Sequence, residues 1–152
     1  KSQKEKFDKY TDTLLYLAAR NEHVKNKILP ALSKNKVVIC DRFTDSTTAY
    51  QVYGKKVNLK FINNIHKFIL GNLKPHLTFI LKVSSKSSRS RLSKRKTRNR
   101  YDNFSKSFYE KAQKSFLKLA KNKKNYFIFD SSKNDKIIEK KIFDITLKYL
   151  KK

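Results

Sequence analysis

From Thr11 to about Leu32 the apolar residues Leu14, Leu15, Leu17, Ala18, Val24, Ile28 and Leu32 return at the spacing of one helical face. That segment is expected to be a helix, with Pro30 distorting its last turn. Val37–Cys40 is short, wholly apolar and β-branched, and it ends in Asp41-Arg42, so it reads as a buried strand. A short helix is expected through Ser46–Tyr53, closed by Gly54, and a longer one over Leu59–Leu70, with Gly71 and Asn72 near its end.

The second half repeats the alternation. Leu77–Val83 (LTFILKV) reads as a strand entered from a turn at Lys74-Pro75-His76. The serines of 84–90 suit a turn and a helix N-cap, with helix continuing to about Lys94. Arg95–Arg100 is loop-like, and a helix follows from Asn103 to about Lys121 with Phe104, Phe108, Ala112, Phe116 and Leu119 along one face. Tyr126–Phe129 reads as a third strand and Ile137–Leu150 as a closing amphipathic helix. Strands that alternate with helices predict an α/β fold with a parallel sheet. Neither an internal repeat nor a linker interrupts the 152 residues, so one domain is expected.

Composition narrows the classes. The formal net charge is +26, a balance that suggests nucleic acid, an anionic surface or phosphate-bearing ligands. Lysines make up 31 of the 38 basic residues and are scattered, which fits solvated surface. Five of the seven arginines fall together as Arg89, Arg91, Arg95, Arg98 and Arg100, and that cluster is the informative part. No run of about 18 apolar residues is available to span a membrane. The opening KSQKEKFDKY has no apolar signal core. Cys40 is the only cysteine, which suits a reducing cytoplasm. The three histidines lack the spacing of a metal site.

Chemistry is expected beyond the carboxyl ends of parallel strands, where such sheets bind ligands. After Cys40 the chain reads Asp41-Arg42-Phe43-Thr44-Asp45-Ser46-Thr47-Thr48-Ala49-Tyr50-Gln51. A carboxylate there can stand near a metal-bound phosphate, and the neighbouring guanidinium can fork onto phosphate oxygens. Tyr16 and Arg20 lie four apart on one helix face, an aromatic ring able to stack on a base beside a cation able to donate to its carbonyl. Taken singly, each pair reads as an ordinary surface contact.

Together these segments resemble the thymidylate kinase family. Leu14-Leu15-Tyr16-Leu17-Ala18-Ala19-Arg20 is similar to its base-recognition helix, and Ile28-Leu29-Pro30-Ala31-Leu32 to that helix's end. Val38-Ile39-Cys40-Asp41-Arg42-Phe43, followed by Ser46, Ala49, Tyr50 and Gln51, looks like the family signature. Lys74-Pro75-His76-Leu77-Thr78 resembles the approach to the next strand, and Arg95 to Asp102 the basic lid, at about 94–103. The resemblance implies an ATP:dTMP phosphotransferase of P-loop-NTPase-like α/β fold, a parallel sheet flanked by helices, working in dTTP synthesis with Mg²⁺, cytoplasmic and homodimeric when complete.

It also implies roles. Tyr16 would stack on thymine and Arg20 would donate to a thymine carbonyl. Thr47 would meet the thymine edge, and Ser46 would be among the dTMP-binding residues. Tyr50 and Gln51 would flank the sugar, Tyr50 disfavouring a 2′-OH. Arg42 would grip and align the monophosphate, Asp41 would stand near Mg²⁺, and Arg95, Arg98 and Arg100 would reach the transferring phosphoryl group from the lid. Asn99, Asp102 and Lys82 depart from the residues common in the family at those places.

No G-x-x-x-x-G-K-[ST] motif occurs among the 152 residues, which contain only Gly54 and Gly71. The chain, which begins Lys-Ser and has no methionine, is expected to lack the N-terminal strands and phosphate-binding loop and, as written, to be inactive. In the family strand order 2-3-1-4-5, the first strand would lie between Val37–Cys40 and Leu77–Val83. Two alternatives stay open: a basic nucleic-acid-binding module, and a related kinase acting on another nucleoside or nucleotide.

Overall fold

A computed structural model describes residues 7–93, 105–132 and 136–151. The chain forms two compact units, Lys1–Lys74 and Pro75–Lys152.

In the first unit, α1 (Lys9–His23) begins where the Asp8 carboxylate accepts from the backbone N–H groups of Tyr10, at 2.7 Å, and Thr11. This cap satisfies donors that the first turn leaves without helical partners, and it starts the helix two residues before the periodicity does. The helix continues through a π-helical segment (Val24–Ile28) into α2 (Leu29–Leu32). The Leu29 N–H reaches back to the carbonyl of Val24, and Pro30 sits at the start of α2, where its missing N–H is harmless. Asn35, in left-handed backbone with φ of 53°, ends the run.

The expected strand at Val37–Cys40 does not form. Among the described residues no strand pairs with it, and Ile39 is 93% and Val37 59% exposed. Val38 and Cys40 are half-buried, so the segment is extended with one side covered. Its β-branched composition favours extended backbone, but a strand also needs a neighbour for its N–H and C=O groups.

Beyond it, α3 (Thr44–Thr47) runs into a π-helical segment (Thr48–Gly54). This helix starts two residues before the expected Ser46. Gly54 does not close it: Gly54 lies inside, and closure comes from Lys55 and the left-handed Lys56, with φ of 57°. Lys55 N–H donates to the carbonyl of Tyr50, and Val57 N–H to that of Gln51 at 2.9 Å. α4 (Leu59–Leu70) is capped by the Asn58 side chain, which accepts from Phe61 N–H at 3.1 Å, and ends at Gly71 with φ of 54°. Leu17 from α1, Val57 and Ile62 from α4 form the core, with Val52, Phe61, Ile65 and Ile69 packed against it. Tyr10 and Phe61 meet edge to face at 5.4 Å.

A second bond braces this unit. The Asp12 carboxylate, 1% exposed, receives the Lys55 ammonium, which ties α1 to the end of the Thr48–Gly54 segment. A carboxylate this deep is tolerable only when paired.

In the second unit, β1 (Thr78–Lys82) and β2 (Tyr126–Asp130) pair in parallel, Thr78 opposite Tyr126 and Lys82 opposite Asp130. The α/β expectation therefore holds, and both strands fall where the sequence placed them to within one residue. Phe79 packs on Phe127, and the Asn125 side chain donates to the carbonyls of Pro75 and His76 below the strands. α5 (Ser85–Ser93) follows β1, with the Ser84 hydroxyl accepting from Ser87 N–H at 3.1 Å, the expected serine cap. α6 (Lys106–Ala120) covers the strands with Phe108, Ala112, Ser115 and Ala120 buried. α7 (Lys136–Leu150) completes the unit. The expected lid, 94–103 with Arg95, Arg98 and Arg100, lies outside the described residues.

Candidate functional site

The predicted dTMP-side residues all belong to the first unit, and the helix containing Arg20 meets the start of α3. Arg20 Nη2 donates to the carbonyl of Phe43 at 3.1 Å and to the hydroxyl of Thr47 at 3.0 Å. Its guanidinium carbon lies 5.0 Å from the centroid of the Phe43 ring, a cation–π contact. The Phe43 carbonyl also accepts from Ser46 N–H at 3.1 Å, so one oxygen anchors both the arginine and the first turn of α3. Thr47 is 3% exposed. Two residues separated by 27 positions are thus joined by one hydrogen bond.

Tyr16 lies one turn before Arg20 on the same helix face and is 38% exposed. Arg42 stands with its guanidinium carbon 5.1 Å from the centroid of the Tyr50 ring. Its backbone has φ of 70°, a left-handed conformation uncommon for a residue with a β-carbon. Such backbone persists where the surroundings fix it, and it often marks functional positions. Asp41 and Arg42 are exposed, Ser46 is half-buried, and Gln51 is 3% exposed with its carbonyl closing the helix end.

The electrostatics centre on Arg20. Burial lowers its pKa, with Cys40 acting in the other direction, and the guanidinium remains a cation. Burial raises the Cys40 thiol, Arg20 opposes that, and Asp41 adds to it. Burial, and after it the charge of Arg20, push the His66 imidazole from 6.5 down to about 4.

The structure therefore brings Arg20 to Thr47 and Arg42 to Tyr50, and sets Tyr16 on the Arg20 face. Among the described residues no group of three or more His, Cys, Asp or Glu side chains is placed to hold a metal ion. Asp41 alone is the kind of donor that Mg²⁺ accepts when phosphate oxygens and waters supply the rest. No helix among the described residues is long and apolar enough to cross a membrane. An apolar hollow of about 370 Å³ between α1 and α4, lined by Leu14, Leu17, Ala18, Ile65, Phe68 and Ile69 among others, contains none of the predicted site residues.

Sequence reasoning missed Phe43, whose carbonyl and ring hold Arg20, and the Asp12–Lys55 brace. It also left His66 without a role. A histidine among Ile62, Ile65 and Ile69 on an otherwise apolar stripe of α4 was the available signal.

The family model described as thymidylate kinase matches residues 1–142. A thymidylate kinase of Wolbachia sp. subsp. Brugia malayi is 44% identical over 119 residues, covering 78% of this chain and 56% of that protein. One from Wolbachia pipientis subsp. Culex pipiens is 38% identical over 149 residues, covering 95% of this chain and 70% of that protein. Among solved structures, the thymidylate kinase of Ehrlichia chaffeensis superposes with a TM-score of 0.65 at 27% identity, covering 84% of this chain and 58% of that one. The chain thus spans between 56% and 70% of the length of these relatives.

Proposed function

This chain belongs to the thymidylate kinase family, and on that premise we propose that it carries the dTMP-binding side of an ATP:dTMP phosphotransferase. The observation that carries the reading is the Arg20 guanidinium, fixed by the Phe43 carbonyl and the Thr47 hydroxyl one helical turn from Tyr16. A cation held in this way has N–H groups left for the carbonyl of a base stacked on Tyr16. Thr47 and Ser46 form the edge of that pocket. Tyr50 and Gln51 flank the deoxyribose, with Tyr50 disfavouring a 2′-OH.

Arg42 supplies the phosphate grip. Its guanidinium offers paired N–H donors that match two phosphate oxygens, and stacking on Tyr50 limits where it can point. In the reaction an oxygen of the dTMP phosphate attacks the γ-phosphorus of ATP. The bond from that phosphorus to the β-phosphate oxygen breaks, giving ADP and dTDP. Arg42 holds the nucleophile in line, and Arg95, Arg98 and Arg100 of the lid meet the charge spread over the transferring group. Mg²⁺, when bound near Asp41, neutralises phosphate charge. Cytoplasmic location and a homodimeric assembly belong to the same proposal.

Calorimetric titration of the chain with dTMP tests it. Binding is expected, with dTMP preferred over its ribonucleotide counterpart. Arg42→Ala is expected to weaken binding about 100-fold, the worth of a pair of charge-assisted hydrogen bonds. If the unaltered chain ignores dTMP, or Arg42→Ala binds it equally well, the reading is wrong.

A further inference from the structure

Two polar atoms of the first unit are left over by the dTMP reading. Arg20 Nε and His66 Nε2 are shut off from solvent, and neither has a hydrogen-bond partner among the described residues. Buried polar groups are rarely left in that state, so two at one place ask for a common explanation.

They lie on helices that are packed together. α1 and α4 pack through Leu17 and Ile62; Arg20 stands one turn beyond Leu17, and His66 one turn beyond Ile62. Burial, and after it the charge of Arg20, lower the His66 pKa, which places the two within electrostatic reach. They are also chemically complementary. A guanidinium Nε carries a hydrogen and can only donate, while an uncharged imidazole has one bare nitrogen that can only accept. With its pKa pushed down to about 4, His66 is uncharged at neutral pH.

We propose that His66 is a positioning residue for Arg20, its bare Nε2 accepting, through one buried water, the hydrogen bond that Arg20 Nε–H initiates. Nη2 is already committed to Phe43 and Thr47, and the guanidinium face to the Phe43 ring. The link to His66 fixes the remaining inner edge of the guanidinium plane, so Nη1 is presented to the base in one orientation. A donor held rigidly favours a base with a carbonyl at that edge, as in thymine, over one with an amino group there, as in cytosine. His66 thereby sets base selectivity without touching the base. This inference rests on the dTMP reading for its ligand, but not for the link itself.

The test pairs nucleotide titration with nitrogen NMR on wild type, His66→Phe and His66→Gln. In wild type the imidazole is expected to carry its proton on Nδ1 with Nε2 bare, and Arg20 Nε–H to exchange slowly and show a cross-peak to water. His66→Phe should weaken dTMP binding about 5-fold while changing dCMP binding less than about 2-fold. His66→Gln, whose side-chain carbonyl restores an acceptor, should recover most of the loss. A proton on Nε2 in wild type overturns the proposal. So does a folded His66→Phe chain, with wild-type circular dichroism, that keeps the wild-type dTMP-to-dCMP ratio. A direct coupling between Arg20 Nε and His66 Nε2 overturns the water bridge. If wild type binds no dTMP yet shows the bare Nε2 and the protected Nε–H, the dTMP reading fails and the link stands.

Discussion

Lowering the pH should destabilise the first unit through His66, by an amount the structure bounds. In the folded chain its imidazole is held at about 4, against 6.5 for an imidazole in water, because burial and then Arg20 disfavour its charged form. Between those two values the unfolded chain binds a proton that the folded chain refuses, so stability rises with pH across that window. The contribution of His66 is therefore whole above about 6.5, falls as the pH drops, and is exhausted near 4. A gap of about 2.5 corresponds to about 3.4 kcal/mol as an upper limit. His66 is only partly buried, and solvent screening reduces this to about 1–2 kcal/mol. Urea unfolding at a series of pH values between 7.5 and 4.5, on wild type and His66→Phe, isolates the effect. The surface carboxylates Asp8 and Asp130, whose pKa values are lowered mainly by hydrogen bonds from Thr11 and Ser132, titrate alike in both chains and cancel in the difference. The advantage of wild type over the variant should shrink by about 1–2 kcal/mol on going to the acid end. A difference that stays constant with pH, or a His66 ring signal that titrates near 6.5 in the folded chain, would refute the reasoning.

Two other outcomes follow from the packing of the same unit. Lys55→Met strands the Asp12 carboxylate away from its ammonium and should cost about 3 kcal/mol in urea unfolding, whereas the double change Asp12→Leu with Lys55→Met should cost about 1 kcal/mol or less, because it removes both charges; equal costs for the two would contradict a buried pair. Gly71→Ala should lower stability by about 1 kcal/mol through its φ of 54° alone, since an added β-carbon meets nothing within 4 Å, and a thermal melt unchanged from wild type would count against that account.

What the sequence disclosed depended on how local the cause was. The helix ending at Leu32, the strand around Phe79–Ile80 and the stop at Gly71 follow from spacing, β-branching and a left-handed backbone, all properties of neighbouring residues. The helix start at Lys9 was missed because a side chain, Asp8, sets it rather than apolar periodicity. Gly54 misled for a related reason: a glycine near a helix end suggests a stop, but here left-handed Lys56 performs it. Val37–Cys40 failed at a longer range. Its residues encode extended backbone, while pairing is a property of whatever lies alongside. The site divides in the same way. Tyr16 and Arg20 share a face by simple helical spacing, and Arg42 and Thr47 enter the candidate site through the resemblance. The Phe43 carbonyl that holds Arg20, 23 positions away, and the electrostatic influence of Arg20 on His66 arise only when α1, α3 and α4 assemble.

The segment Val37–Cys40, unpaired among the described residues, also bears on how copies of this chain behave toward one another. Three consecutive β-branched residues, one of them almost wholly in water, present backbone donors and acceptors to any similar strand that approaches. The charge of +26, together with Lys34 and Lys36 beside the segment, opposes such encounters by electrostatic repulsion. That protection has a range of about 30 Å at 0.01 M salt and only about 8 Å at 0.15 M. Added salt, which leaves the covalent sequence untouched, is therefore expected to lower the electrostatic barrier to strand-to-strand association at Ile39.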